Sequence, residues 1–285
     1  MVELGAPTVR SLLADAVRSL ADAGVGSPAV DAELLLAHSV GVERARLVTV
    51  DRVTPGVARR FSALVARRVA REPLQHLLGT APFRYLELAV GPGVFVPRPE
   101  TELLLDGVLP MLRQTAAPVV VDLCAGSGVL ALAALHEAPH ATVYAVERSP
   151  GALSWLRRNA AGTGVHIVQG DVANPSVLGA LDGQVNVVLS NPPYVPIATP
   201  VAPEVAHDPA EAVFAGTDGL SVIPAVIAAA GRLLRRDGLL ALEHDDSHAS
   251  AVIELLESDA RWRDVQDHRD LAGRPRYATA TRKAA

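Results

Sequence analysis

Cysteine is almost absent from the sequence, and so is lysine. Cys124 is the sole thiol among 285 residues, which excludes an internal disulfide and a cysteine-based metal cluster. Lys283 is the sole lysine, so the basic side chains are almost all arginines, from which we infer no function. The sequence also lacks an uninterrupted apolar run of about 20 residues and a charged-then-apolar leader. We therefore expect a cytoplasmic protein without a membrane partner.

The composition indicates a globular protein with a sizeable core. The chain is 49% hydrophobic and 20% charged, and its length is sufficient for two domains. The net charge of −5 argues against a protein whose whole surface binds nucleic acid.

The first 76 residues show helical periodicity and no strand pattern. Apolar residues recur at three- and four-residue steps from Val9 to Leu20, and Ser27-Pro28 and Thr54-Pro55 are typical helix starts. We predict a small all-helical domain over residues 1–76. Its last long helix carries a stripe of arginines, which is either a solvated face or a contact with an acidic partner or RNA. The stripe comprises Arg59, Arg60, Arg67, Arg68 and Arg71.

Residues 77–99 have a different character and predict a β-hairpin linker. Phe83–Val90 has β-type composition, Gly91-Pro92-Gly93 predicts a turn, and Val94–Val96 predicts a second short strand. Two prolines then fix the entry to an apolar helix, where Glu100 and Glu102 suit the helix N-terminus.

Residues 100–285 predict an α/β domain, because strands and helices alternate from Val119 onward. The pattern gives seven strands in a mainly parallel sheet. They lie around Val119–Leu123, Thr142–Glu147, Val165–Gln169, Val185–Ser190, Leu239–Glu243, Val265 and Arg276–Ala278.

A glycine-containing turn between the first strand and its helix predicts a nucleoside site. Asp122 is followed by Gly126 and Gly128, which allow a ligand to approach the backbone closely. Glu147 ends the next strand, where a carboxylate can accept both hydroxyls of a ribose. Gly126-x-Gly128-x-x-Ala131 also fits the relaxed dinucleotide fingerprint, so a nicotinamide or flavin oxidoreductase stays open at this point.

Acidic residues around this turn favour a cationic ligand without phosphates. Asp122 precedes the glycines, where it would repel a pyrophosphate but could meet a cation or an ordered water. Asp171 follows the third strand, where it could accept from an adenine amino group. S-adenosylmethionine has the matching sulfonium, ammonium, ribose and adenine.

The fourth strand ends in Asn191-Pro192-Pro193-Tyr194, a stiff turn at the predicted ligand crevice. The Asn191 side-chain oxygen and the Pro192 carbonyl could each accept one N–H of a planar –NH2 group, and Tyr194 could cover that group. Such an arrangement would direct the nitrogen lone pair at a methyl carbon. The His244-Asp245-Asp246 run with His248 is more typical of a solvated loop than of a metal site, and we predict no metal.

Together these motifs resemble the PrmC/HemK family, whose members methylate the glutamine of the Gly-Gly-Gln motif in class I peptide chain release factors. The Asn-Pro-Pro-Tyr turn alone is shared with adenine-N6 DNA methyltransferases. The more specific segments are Glu72–Gly79, Val96–Glu102, Ala215–Leu220 and Arg269–Arg274.

The resemblance covers nearly the whole chain and implies a class I, Rossmann-like methyltransferase. It implies cofactor contacts from Asp122, Cys124, Ala125, Gly126, Ser127, Gly128, Glu147, Asp171, Val172 and Asn191. It implies that the substrate that accepts the methyl group binds at Asn191, Pro192, Pro193 and Tyr194, of which Asn191, Pro192 and Tyr194 would act in catalysis. We also expect a substrate contact from Arg98 in the preceding stiff loop. Cys124 stands where the family usually has glycine, and Val172 where some members have a large aromatic residue. The helical domain is expected to help dock the release factor.

Three other functions stay open on the sequence. An adenine-N6 DNA or RNA methyltransferase would need a basic recognition domain, and the net charge of −5 disfavours a direct nucleic-acid substrate. An oxidoreductase would leave the Asn191–Tyr194 turn without a role. A cofactor-sensing or ribosome-associated binding module would not need that turn at all.

Overall fold

The computed structural model describes residues 6–284, which form two compact units. One unit extends to Thr80 and also contains Val201–His207. The other comprises Ala81–Pro200 and the chain from Asp208 onward. The segment that follows the Asn191–Tyr194 turn therefore leaves the second unit, packs with the first, and returns.

The first unit is helical, as the periodicity predicts. Thr8 and Thr54 cap two of its helices by accepting hydrogen bonds from the backbone N–H groups of Ser11 and Val57. Pro28 begins another helix, although the Ser27 side chain makes no capping hydrogen bond. Leu20, Leu35 and Phe61 fill the core between them. The helices are α1 (Val9–Asp22), α2 (Pro28–Val40), α3 (Pro55–Val69) and α4 (Leu74–Leu78).

The arginines of α3 and the residues after it are not a uniform solvated stripe. Arg68 is buried and pairs with buried Asp31 at 2.7 Å. Arg68 and Arg71 also bind Glu204, at 2.9 and 2.8 Å, inside the same unit. Two of the five arginines thus hold the Val201–His207 segment to the helices, which leaves the stripe a smaller surface for any partner.

The hairpin exists, but the predicted position of its strands is wrong. Its strands are β1 (Thr80–Phe83) and β2 (Leu86–Ala89), and the chain turns at Arg84, which has a φ of 52°. Val94–Val96 is not a strand. The predicted Gly91-Pro92-Gly93 turn is present, and the Val94 N–H donates to the Gly91 carbonyl at 3.4 Å, but the turn does not join two strands. Gly91 also lies so close to the Trp155 ring that a Cβ atom there would come within 2.6 Å of it.

The second unit contains the predicted seven-stranded sheet. The strands are β3 (Val119–Leu123), β4 (Thr142–Glu147), β5 (His166–Gln169), β6 (Val185–Ser190), β7 (Leu234–Glu243), β8 (Trp262–Arg269) and β9 (Pro275–Arg282). Their order is β5-β4-β3-β6-β7-β9-β8, in which the five strands from β3 to β7 pair in parallel and β9 is antiparallel to both β7 and β8.

Helices pack against the sheet. They are α5 (Glu102–Gln114), α6 (Val129–Glu137), α7 (Pro150–Asn159), α8 (Ala210–Val213), α9 (Ile223–Leu233) and α10 (Ala249–Ser258). β3 and β6 are neighbours in a register that pairs Leu123 with Ser190. The glycine turn and the Asn191 turn therefore leave the sheet side by side, at the carboxyl ends where open α/β sheets bind ligands. Within residues 6–284, no helix is long and apolar enough to cross a membrane.

Candidate active site

The loop after β3 adopts a conformation that its glycines allow. Gly128 has a φ of 88°, and a Cβ atom there would lie 2.5 Å from the Leu156 side chain. Gly126 has a φ of 58°, but a Cβ atom there would meet nothing within 4 Å. One glycine thus permits close packing of the loop on the protein, whereas the other borders open space that a ligand can use.

Asp122 is buried beneath this loop with half of its carboxylate unpaired. Its Oδ2 accepts the backbone N–H of Ala131 at 3.0 Å, near the start of α6. Its Oδ1 is buried and has no hydrogen-bond partner. Burial, with a smaller contribution from Glu147, raises the pKa of Asp122 to about 8 against the opposing hydrogen bond from Ala131. The free oxygen fits an ordered water or a cationic group.

Glu147 is held rigidly at the end of β4 by three backbone N–H groups. Its Oε2 accepts from Gly126 at 2.9 Å, and its Oε1 accepts from Arg148 and Ser149, each at 2.7 Å. A carboxylate offers about four acceptor positions, so roughly one remains for a ribose hydroxyl. The side chain ties the glycine loop to β4 and faces the site in a fixed orientation.

The remaining cofactor residues of the sequence prediction lie on the same edge of the sheet. Ala125 and Ser127 are buried in the glycine loop, and Val172 is buried after β5. Asp171 is half-exposed; its Oδ1 accepts from the N–H of Ala173 and its Oδ2 lies 3.3 Å from the Arg148 guanidinium. One carboxylate oxygen of Asp171 is thus partly engaged by a cation.

Cys124 occupies a backbone conformation that favours glycine, with a φ of 63°. Burial, and then the neighbouring charges of Glu147 and Asp122, raises the pKa of its thiol to about 12. A thiol of this kind stays protonated at neutral pH and is a poor nucleophile. Cysteine at this position is therefore accommodated at the expense of backbone strain.

The Asn191 turn presents two free acceptors. The Asn191 side-chain amide donates from Nδ2 to the hydroxyl of Thr101 at 3.0 Å. Within residues 6–284, neither Asn191 Oδ1 nor the Pro192 carbonyl accepts a hydrogen bond from the protein. Pro192 is buried and Pro193 is partly buried, so the turn is supported from behind. Two unsatisfied oxygens of this kind suit a ligand with two N–H donors.

Tyr194 is fixed by a buried carboxylate that sequence reasoning missed. Its hydroxyl donates to Glu243 Oε1 at 3.0 Å. Glu243 ends β7 and is 1% exposed, and its Oε2 has no hydrogen-bond partner. Burial is the largest influence and raises the pKa of Glu243 to about 7, while Thr101, Tyr194 and Arg276 lower it. Its position, closing an apolar parallel strand as Glu147 does, was the signal in the sequence.

Ala215–Leu220, one of the segments that carry the resemblance to the PrmC/HemK family, packs against the residues of this turn and the one after it. Val195 pairs with Phe214, and Ala215 donates to the Val195 carbonyl at 2.9 Å. Gly219 has a φ of 75°, and a Cβ atom there would lie 2.4 Å from both the Tyr194 carbonyl and the His248 ring. Glycine is required because the backbone of the turn packs directly on it.

The side chains of Arg98 and Asn159 bind neighbouring segments close to the site. Arg98, which we expected to bind substrate, pairs with the buried Asp208 at 2.7 Å and lies over the Phe95 ring. Its contact with substrate stays a prediction. Asn159 was not predicted; its side chain bonds the backbone of Ala89 in both directions and donates to the Ser127 carbonyl at 3.0 Å, which joins the hairpin to the glycine loop.

Comparison with known proteins identifies both units. Residues 11–79 match the PrmC N-terminal domain, and residues 90–208 match the methyltransferase small domain. The chain is 51% identical to the release factor glutamine methyltransferase of Mycolicibacterium smegmatis, over 97% of this chain and 98% of that protein. It is 41% identical to the 4-amino-L-phenylalanine/4-methylamino-L-phenylalanine methyltransferase of Streptomyces pristinaespiralis, over 90% of each chain.

The fold is also that of solved methyltransferases. A methyltransferase from Pyrococcus furiosus superposes with a TM-score of 0.53 over 71% of this chain and 91% of that one, at 19% identity. This likeness concerns the sheet and its helices and confirms the predicted class I methyltransferase fold. The near full-length identity to the curated relatives confirms the predicted family: the chain belongs to the release factor glutamine methyltransferases.

Proposed function

We propose that this protein transfers a methyl group from S-adenosylmethionine to the side-chain nitrogen, N5, of the glutamine in the Gly-Gly-Gln motif of class I release factors. The observation that carries the proposal is the pair of unsatisfied acceptors, Asn191 Oδ1 and the Pro192 carbonyl, at the strand end beside the glycine loop. A glutamine carboxamide has the two N–H donors that this pair can hold. Release factors act in translation, so we place the reaction in the cytoplasm.

The residues after β3, β4 and β5 fit the cofactor. The buried, unpartnered oxygen of Asp122 suits an ordered water beside the cationic end of the ligand, the remaining acceptor position of Glu147 suits a ribose hydroxyl, and the open space at Gly126 admits the ligand to the backbone. S-adenosylmethionine supplies an electrophilic methyl group when bound. The Cys124 thiol contributes no nucleophile, since it remains protonated at neutral pH.

The acceptor turn activates the substrate nitrogen by position and charge. Two carbonyl-type oxygens that accept its N–H groups fix the plane of the carboxamide and would direct the nitrogen lone pair at the methyl carbon. They also favour the positive charge that develops on nitrogen as it is methylated. Tyr194, held by Glu243, would cover the planar group.

The substrate assignment draws on the relatives and on the helical unit. The 51% identical protein of M. smegmatis is a release factor glutamine methyltransferase, and this chain contains the PrmC N-terminal domain. We assign docking of the release factor to that helical unit, which is residues 1–76 in the sequence prediction. The 41% identical protein of S. pristinaespiralis acts on an aromatic amine, whose –NH2 group would fit the same acceptor pair.

The decisive experiment incubates the protein with labelled cofactor and four acceptors in parallel. These are a class I release factor, the same factor with its Gly-Gly-Gln glutamine replaced, duplex DNA, and 4-amino-L-phenylalanine. Label on the first alone supports the proposal. Label on DNA would favour adenine methylation, and label on the amino acid would favour the aromatic-amine reaction.

Asn191→Ala should abolish transfer to the release factor, because it removes one of the two acceptors of the N–H2 group. Binding of the cofactor, measured by calorimetry, should remain within a fewfold of the wild type. Gln184→Ala is the matched control, since that variant also loses an amide, here one that bonds the Ala180 carbonyl in an exposed loop. Full activity in Asn191→Ala would remove the turn from the mechanism.

A further inference from the structure

The amide of Asn191 works as an acceptor only if its oxygen faces the substrate. A side-chain amide has one acceptor end and one donor end, and a rotation of 180° would exchange them. With the donor end turned outward, Asn191 would repel the N–H2 group that it has to hold. Some group in the protein must therefore fix the rotation.

Thr101 occupies the position that sets this rotation. It is 1% exposed, lies at the end of the short helical turn Pro99–Thr101, and its Oγ1 receives Asn191 Nδ2 at 3.0 Å. A threonine hydroxyl can also donate, in which case it would bind the oxygen of Asn191 instead. The orientation of Asn191 is thus decided by where the Thr101 proton goes.

The geometry makes Thr101 the acceptor of this pair, because its Oγ1 receives Asn191 Nδ2. The oxygen of Asn191 is then left free for a ligand. Thr101 also lies close enough to the buried Glu243 to lower the pKa of that carboxyl. Glu243 Oε1 accepts from Tyr194, and its Oε2 has no hydrogen-bond partner.

We propose that Thr101 is a positioning residue that holds the Asn191 amide with its oxygen toward the nitrogen that accepts the methyl group. The inference rests on the proposed function for the role of Asn191, and it extends to any substrate that presents an N–H2 group there. It assigns a purpose to the threonine of the Val96–Glu102 motif, which a helix cap alone does not require, because Thr101 makes no capping hydrogen bond.

The kinetic test compares Thr101→Val, which keeps the shape of the side chain, with Thr101→Ser, which keeps the hydroxyl. We expect kcat to fall roughly 100-fold in Thr101→Val, the size typical of one misoriented catalytic dipole, with cofactor Kd unchanged. Thr101→Ser should restore kcat to within a fewfold. Thr115→Val, which loses a hydroxyl bonded to the Met111 carbonyl on α5, is the matched control and should behave as wild type. A kcat in Thr101→Val within twofold of wild type would overturn the proposal, as would equal losses in the Val and Ser variants.

A second readout, the NMR signal of the Asn191 side chain, does not depend on which substrate accepts the methyl group. The sequence has four asparagines, Asn159, Asn174, Asn186 and Asn191, so protein labelled with 15N-asparagine gives four side-chain amide signals. Asn191→Asp removes one and thereby assigns it. Thr101→Val should shift that signal and speed its hydrogen exchange, while Thr101→Ser and Thr115→Val should not. An unmoved signal would refute the positioning role even if the release factor proved to be the wrong substrate, and a moved signal with an unlabelled release factor would refute only the proposed function.

Discussion

Buried carboxylates at the strand ends of the sheet differ from those elsewhere in the protein. Away from the strand ends they are paired with arginines, as Asp31 is with Arg68 at 2.7 Å in the helical unit and Asp208 with Arg98 at 2.7 Å in the sheet unit. At the strand ends, Asp122, Glu147 and Glu243 are also buried but form no salt bridge within residues 6–284. All three lie at or next to the carboxyl end of a parallel strand. Burial of an unpaired carboxylate is costly, so its retention at a ligand crevice marks function, whereas the paired one marks structure.

The largest effect should come from breaking the pair in the helical unit. Arg68→Met leaves Asp31 buried without a cation, which typically costs roughly 3–5 kcal/mol. The double variant Arg68→Met/Asp31→Leu removes both charges and should recover most of that loss. The free energy of unfolding in urea measures both. If the single variant were as stable as the wild type, the pair would not be the structural element that its burial indicates.

Removing an unpaired acid should have the opposite effect on stability. The pKa of Glu243 is raised to about 7, chiefly by burial and slightly by Glu100, against Thr101, Tyr194 and Arg276. The folded state binds this proton more tightly than the unfolded state does. The stability that the bound proton contributes to the fold is therefore fully present below the ordinary glutamate pKa and is lost as the pH rises through about 7. Glu243→Gln should therefore be more stable than the wild type at pH 8, by an amount on the order of 1–3 kcal/mol.

The same ionisation should control activity in the opposite direction. Below pH 7 Glu243 is protonated and holds the Tyr194 hydroxyl less firmly, so kcat should fall as pH is lowered from 8 to 6. Glu243→Gln should lack this acid limb and turn over slowly at every pH. A variant with the wild-type pH profile would assign the limb to another group, such as Asp122, whose pKa is raised to about 8.

The sequence predicted two of the three strand-end carboxylates that form no salt bridge. Asp122 and Glu147 were found because each follows or closes an apolar run near a glycine turn. Glu243 occupies the equivalent place on β7. It was not assigned to the site because the His244–His248 run that follows it is typical of a solvated loop. Thr101 was missed because its partner Asn191 lies 90 residues away. The hairpin was misplaced because the left-handed turn at Arg84 has no glycine to indicate it, while the Gly91-Pro92-Gly93 turn, which the sequence does indicate, joins no strands.

The smallest effect on stability should come from Arg59, which sharpens the contrast inside the helical unit. Arg59 is exposed on α3, and within residues 6–284 it forms no salt bridge, unlike Arg68 and Arg71. Arg59→Gln should change the free energy of unfolding by less than about 0.5 kcal/mol, as is usual for exposed positions. Steady-state kinetics then tests docking separately: if α3 contacts an acidic surface of the release factor, KM for that factor rises severalfold, kcat is unchanged, and the difference shrinks at high salt because exposed charges are screened. Arg18→Gln, on the exposed part of α1, is the matched control. If both variants leave KM unaltered, α3 does not dock the substrate through this charge.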